Sequence, residues 1–467
     1  MTVRSDAARI GLSQAAWTRL EERLEHAIAR ARRERRRVLA SVSEAVPAEL
    51  DLPAAVLAAR QPGDRYFCLE QPDRVLATLG HAALVEADGE QRFARVAAAC
   101  RELARGAFAD EGPVWVGGFS FAQDGGSSPE WASLAPAQML MPEIALSRRG
   151  DAAQLTVAAV LDGDESAEAV LDRLRARVDS LEPVPMPLFD PDPLVSPRVA
   201  SATPPSHFES AVARGVERIQ AGELDKLVLA REVRVHAPAE IDPAPVYDAL
   251  RAAFPACYCY LVGTPELAFI GASPELLVRR EGARAQTVAL AGTTRRSADP
   301  SVDDLLGEQL LQSDKQREEQ AIVTRRIERT LRPVSVWVAA ADAPVLVKVQ
   351  NVQHLATPIR AQLAEPVSCV ELAGRLHPTP AVGGEPREVA VKLIPALEGL
   401  DRGWYAGTVG WTDLSEDGEF CVAIRCALIR GRVAHLYAGN GIVRDSVPAD
   451  ELAETEVKLQ ALLPLLS

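Results

Sequence analysis

No Cys-x-x-Cys pair occurs in this chain of 467 residues. Its seven cysteines, Cys68, Cys100, Cys257, Cys259, Cys369, Cys421 and Cys426, are scattered and odd in number. Such a pattern makes neither a disulfide framework nor a tetrahedral zinc site, so they read as reduced, mostly buried thiols. Also missing is any run approaching the roughly 20 apolar residues needed to cross a bilayer. Residues 1–14 carry no apolar signal core, and a cytoplasmic location is expected. Positive charge is in deficit: the net charge of -14 disfavours general binding to nucleic acid or anionic membranes, because the mean field repels polyanions. A small anion could still be held by a few local basic residues. The patterns G-x-x-x-x-G-K-[ST], H-E-x-x-H and G-x-S-x-G are absent, which disfavours nucleotide triphosphatases, zinc proteases and α/β-hydrolases. No internal repeat or low-complexity tract is present.

What remains is ordinary globular composition, 48% hydrophobic and 25% charged, sufficient for a sizeable core. Residues 15–37 predict a basic helix with a solvated face, a better reading than a nucleic-acid tail given the acidic total. Strands are predicted at 74–85 and 154–161, with an Ala-rich helix at 91–107 between them. The glycine pair Gly117-Gly118 interrupts a strand over 113–121, marking a bulge or a close backbone approach. Prolines crowd residues 181–206 and predict an extended connector. Beyond it, helices are predicted at 207–221 and 303–331. Strands are predicted at 226–235, 258–262, 267–270, 276–280, 285–290, 334–338, 345–352, 408–414, 420–429 and 433–438. Many strands without a regular βαβ rhythm indicate an α+β fold of large, mostly antiparallel sheets with helices on the outside. Residues 1–200 read as a scaffold half and 205–460 as the catalytic region, together one structural unit.

The candidate chemistry lies in the second half. Gly439-Asn440-Gly441 suits a turn with close backbone approach, and a helix is predicted from 449 to 466, with few breakers before Pro464. On that helix Glu451, Glu454 and Lys458 share one face, either a solvated stripe with a Glu454–Lys458 pair or an acidic stripe with a target. Glu319 aligns with Ile322, Val323 and Ile327, so it faces inward and needs an ion-pair partner or a metal. Lys226 stands beside Leu227, Val228 and Leu229; it is a snorkelling strand-end lysine or a desolvated base. Glu275 occupies a turn, where glutamates are usually solvated. Gly292 and Thr293 either hold a carboxylate or make a turn, and His354 fits an ordinary core histidine. Arg425 sits in an apolar strand and needs an anion, for which a carboxylate is the natural bidentate partner. Tyr405 can donate to the same anion.

Taken in order, Lys226-Leu-Val-Leu-Ala-Arg, Gly271-Ala-Ser-Pro-Glu-Leu-Leu, Leu290-Ala-Gly-Thr, Gln353-His-Leu-Ala-Thr, Leu376-His-Pro-Thr-Pro-Ala-Val, Tyr405-Ala-Gly-Thr-Val-Gly-Trp, Ala423-Ile-Arg-Cys-Ala and Ala438-Gly-Asn-Gly-Ile-Val with Glu-x-x-Glu-x-x-x-Lys resemble the chorismate-utilising enzymes. That family includes isochorismate, salicylate, anthranilate and aminodeoxychorismate synthases. The first half matches loosely, through Gly117-Gly-Phe. The resemblance implies an anthranilate synthase component I-like fold and a Mg2+ site made by Glu319 and Glu454, with Glu451 acting mainly through metal-bound water. It implies that the ring carboxylate of chorismate lies against the metal and the Gly439 to Gly441 backbone, near Gly292, Thr293 and Lys458. Tyr405 and Arg425 would hold the enolpyruvyl carboxylate, and His354 and Ala381 would also contact substrate.

Family members that use ammonia typically have glutamine where this chain has Lys226. The lysine implies a base that activates water, and Glu275 matches the implied general acid for the departing C4 hydroxyl. The expected activity is therefore isochorismate synthesis. Salicylate synthase, which goes on to eliminate pyruvate, is an alternative, disfavoured by Pro380-Ala381-Val382-Gly383-Gly384 where those enzymes often continue with threonine and Ser-Gly-Ile-Pro. A non-catalytic chorismate-binding protein is a further alternative. Two residues depart from the family pattern: Gln320 follows Glu319 where histidine is common, and Asn440 replaces an alanine. Both are expected to tune metal affinity or rate. No amidotransferase subunit is expected, and a monomer is preferred.

Overall fold

The computed structural model describes residues 10–188, 196–350 and 352–466. Most of the N-terminal segment read for a signal core, and Pro191 and Pro193 of the expected connector, lie outside the described residues. Among those described, 22 strands and 11 α-helices form one sheet of 12 strands and one of 10. Every pairing between named strands is antiparallel.

Period-two alternation places the larger sheet between two layers. Phe67, Leu69, Tyr260, Val262 and Phe269 point into a core shared with the smaller sheet, together with Trp115, Phe119 and Phe420. Their neighbours Cys68, Cys259, Leu261 and Ile270 point the other way, into a second core with the outer helices. The helix Gln14–Glu34 joins that second core through Leu20, Leu24, Ala27, Ile28 and Ala31, one stripe at helical spacing. All seven cysteines are buried and free.

Both sheets run across the two halves of the chain. Tyr66–Gln71 pairs with Tyr258–Gly263, and Val114–Phe119 pairs with Thr408–Asp413. At the second seam a Cβ on Gly117 would strike the Gln138 carbonyl, and one on Gly118 would lie 2.6 Å from the Trp404 ring. The glycine pair therefore serves close backbone approach.

Several expected elements are divided or redrawn. The strand expected at 74–85 is two strands in different sheets, Arg74–Leu79 and Ala83–Ala87, separated at Gly80 with φ 70°. The helix expected at 303–331 is Pro300–Gln312 followed by Asp314–Leu331. Ser313 is extended between them, and its side chain caps the second by accepting from the Gln316 amide at 3.4 Å. The proline-rich connector contains a short strand, Arg198–Ser201, paired with the end of Lys226–His236. The strand expected at 420–429 is Gly418–Val422 in one sheet and Cys426–Arg430 in the other. Arg425 thus stands at a crossover between sheets, with φ 52°, and not within a strand. The last helix is Pro448–Leu459, followed by a single 3-10 turn, Leu463–Leu465, so it ends short of the expected 466. Gly439, Asn440 and Gly441 lie inside the strand Val433–Ile442 and not in a turn, because that strand continues its ladder with Lys226–His236 up to Ile442.

Candidate active site

The cavity that gathers the chemistry is lined by both sheets. Lys226 and Val228 come from one strand of the larger sheet, and Tyr437, Ala438, Gly439 and Gly441 from its neighbour. The smaller sheet supplies Leu290, Ala291, Gly292, Thr293 and His354, while the helices Asp314–Leu331 and Pro448–Leu459 bring the carboxylates. The space enclosed is about 840 Å³, open solvent at the mouth included.

Glycine makes room for charge here. A Cβ on Gly441 would collide with Glu319 Oε1 and approach Lys226 Cε to 2.8 Å. A Cβ on Gly439 would lie 2.8 Å from the Tyr405 hydroxyl. Over the bare strand, Lys226 Nζ meets Glu319 Oε1 at 2.8 Å, the lysine side chain 1% exposed. Glu275 also lines the cavity and is only 3% exposed. Burial pushes its carboxyl up to about 8 against the opposing pull of the Lys226 charge, so at neutral pH it carries a proton. The turn position thus holds a buried acid.

At another part of the wall Thr293, His354 and Arg425 form a hydrogen-bonded network. A bulge between Ala291 and Thr293 breaks the ladder with the strand Val352–Leu363, with Gly292 at φ 75°. Thr293 Oγ1 is 3.1 Å and the Gly292 carbonyl 3.3 Å from His354 Nδ1. Arg425 Nη2 approaches His354 Nε2 at 3.3 Å. A guanidinium only donates, so Nε2 accepts and Nδ1 carries the imidazole proton. Burial first, then the charges of Arg425 and Lys458, hold His354 neutral. Arg425 Nη1 is buried without a partner, a donor left for an anion. Burial lowers the Arg425 pKa below its ordinary value. Tyr405 stacks on Tyr437 with centroids 5.2 Å apart and lines the same cavity.

Of the five lysines in the chain, three line this cavity, Lys226, Lys315 and Lys458, each beside one of the three carboxylates. Lys315 lies 3.5 Å from Glu451 and Lys458 2.6 Å from Glu454. The Glu451 carboxyl is raised above its ordinary value by burial and by neighbouring Glu454. Among the described residues, no group of three or more His, Cys, Asp or Glu side chains forms a metal cage. The donor set of Glu319, Glu451 and Glu454 nevertheless fits a hard divalent cation. It is all carboxylate oxygen, and it is too sparse to coordinate an ion without water and a substrate oxygen.

The structure brings Lys226, Glu275, Gly292, Thr293, Glu319, His354, Ala381, Tyr405, Arg425, Gly439, Gly441, Glu451, Glu454 and Lys458 to this one cavity. Gln320 lies behind it, donating to the Ala289 carbonyl at 2.8 Å and to Thr357 Oγ1 at 2.9 Å; it fastens helix to sheet. Sequence reasoning missed Lys315, Gln316 and Tyr437. The first two were within reach, since they precede Glu319 by four and three positions and share its helix face.

A family model described as chorismate binding enzyme matches residues 26–467. The salicylate biosynthesis isochorismate synthase of Pseudomonas aeruginosa is 37% identical over 408 residues, covering 85% of this chain and 84% of the relative. The solved structure of MenF, the menaquinone-specific isochorismate synthase from Escherichia coli, superposes with a TM-score of 0.79 at 27% identity, covering 96% of this chain and all of that one. Anthranilate synthase component I from Streptococcus pneumoniae shares the fold, with a TM-score of 0.64 at 20% identity over 85% of this chain and 89% of that one.

Proposed function

The chain belongs to the chorismate-binding enzyme family, and on that premise we propose that it interconverts chorismate and isochorismate. The observation that carries the reading is the pairing of opposite roles in one cavity: a buried lysine, Lys226, and a buried carboxyl, Glu275, that is protonated at neutral pH. An acid and a base serving one ring are what exchange of a hydroxyl between two carbons requires. Lys226, acting in its neutral form and released from the Glu319 pair, takes a proton from a water that bonds to C2. Both ring double bonds shift, the C4–oxygen bond breaks, and Glu275 gives its proton to the departing hydroxyl, which leaves as water. One water enters and one leaves, so the product is an isomer.

Substrate recognition follows from the donors. Arg425, with its unpartnered Nη1, and Tyr405 would bind the enolpyruvyl carboxylate. Gly292, Thr293, Lys458 and the backbone of Gly439 and Gly441 would face the ring carboxylate, with His354 and Ala381 against the remaining surface. Mg2+ would be held by Glu319 and Glu454, with Glu451 one water removed, and would supply positive charge beside the ring carboxylate. Since water is the nucleophile, the enzyme acts without an amidotransferase subunit, as a cytoplasmic monomer. Residues 1–200 act as scaffold to the catalytic region 205–460.

The direct test is incubation of purified protein with chorismate and Mg2+, with products separated by chromatography. Isochorismate mixed with residual chorismate, abolished by EDTA and restored by added Mg2+, is expected. Salicylate with pyruvate would reassign the reaction, and unreacted chorismate would reject catalysis.

A further inference from the structure

Asn440 lies between the two glycines of the cavity strand, yet it serves the other face. Successive residues of a strand point to opposite sides, and with Gly439 and Gly441 toward the cavity Asn440 turns to the helix Pro448–Leu459, 1% exposed. Its Nδ2 donates to the Glu451 carbonyl at 2.6 Å and to Glu451 Oε2 at 3.2 Å. Its Oδ1 accepts from Lys458 Nζ at 2.7 Å. Lys458 also donates to the Gly439 carbonyl at 3.0 Å and pairs with Glu454. One planar amide therefore addresses a carboxylate with its nitrogen and an ammonium with its oxygen. Those partners dictate its orientation, because an ammonium cannot accept and a carboxylate cannot donate.

We propose that Asn440 is a positioning residue that sets the Glu451 carboxylate and the Lys458 ammonium together, so that the cavity presents a pre-arranged seat for a divalent cation and the adjoining substrate carboxylate. This rests on the metal reading given under Proposed function. Alanine at this position makes neither contact. It would leave Glu451 with the Ser446 side chain and the Lys315 pair at 3.5 Å, the latter a longer contact from a half-exposed side chain. Aspartate would keep the Lys458 contact but set like charge against Glu451. Only a group that both donates and accepts serves the two neighbours at once. An outer residue that orients a ligand carboxylate typically changes metal affinity by about 10–100-fold.

The test is calorimetric titration of Mg2+ alone into the full chain, for wild type, Asn440→Ala, Glu451→Gln and the double variant, with circular dichroism to show that each is folded. Asn440→Ala is expected to weaken Mg2+ binding about 10-fold in the wild-type background and less than about twofold beside Glu451→Gln, because the residue acts through Glu451. It is also expected to raise the KM for chorismate, because Lys458 keeps only the Gly439 carbonyl and Glu454 to fix its ammonium. A wild-type isotherm reproduced by Asn440→Ala would overturn the positioning role alone. An equal loss in the Glu451→Gln background would do the same. A wild-type protein that takes up no Mg2+ would overturn this inference together with the metal reading.

Discussion

Glu275 shows how far burial alone can change a side chain's chemistry. It follows Ser273 and Pro274 at the end of the strand Ala268–Ser273, and its carboxyl is pushed up to about 8 chiefly because water is excluded around it. The unfolded chain releases this proton near 4.5, while the folded protein keeps it to about 8. Across that interval the native state binds more protons, so this residue's contribution falls as pH rises. Glu275→Gln keeps the shape of the protonated acid without that liability. Its melting temperature is expected to exceed the wild-type value by a margin that grows from about pH 5 to pH 8, with turnover lower by about 10²–10⁴-fold. Thermal melts at several pH values check this, and a margin flat with pH would refute it. The basic limb of wild-type kcat/KM belongs near pH 8 for the same reason.

At the scale of elements, the strand Val433–Ile442 and the helix Asp314–Leu331 decide where charge can sit. The strand passes under the Lys226–Glu319 pair only because Gly441 has no side chain. Its φ is not among the positive ones, so alanine there is a steric matter and not a backbone one. Gly441→Ala is expected to retain the fold and lower kcat more than about 10-fold by pushing the lysine and the glutamate apart; melting curves and steady-state rates read the two effects separately. A rate equal to wild type would show that the pair moves freely. Such glycines read as a turn in sequence, since glycine most often marks one; the ladder with Lys226–His236 overrides that local signal. Equally hidden was the break at Ser313, because residues 303–331 carry no proline or glycine cluster to announce it. The break begins the second helix at the cavity and brings Lys315 and Gln316 into the wall.

For the molecule as a whole, the continuity of both sheets across the chain's midpoint governs stability. Every side chain lining the active cavity is at position 226 or beyond, yet the sheets that carry them continue, through Tyr258–Gly263 and Thr408–Asp413, onto Tyr66–Gln71 and Val114–Phe119. Residues 205–467 expressed alone would expose long apolar sheet edges and are expected to be unfolded or aggregated, whereas the full chain melts in a single transition. Circular dichroism of the fragment and calorimetry of the full chain test this. A soluble, chorismate-binding fragment would refute it.

The sequence by itself determined the family, the antiparallel α+β class and most of the polar residues around the cavity, though not Lys315, Gln316 or Tyr437. Those properties are carried by ordered local blocks such as Gly271-Ala-Ser-Pro-Glu-Leu-Leu and by period-two and helical spacing. Only the tertiary structure decided the states of those residues. Glu275 is an acid because packing removes its water, and Arg425, in a left-handed backbone conformation where the chain crosses between sheets, keeps a free donor. Asn440 addresses Glu451 and Lys458 because the helix Pro448–Leu459 folds back onto the strand Val433–Ile442 that precedes it. Solvation and partner geometry depend on what lies opposite in space, and a linear order of residues does not carry that information.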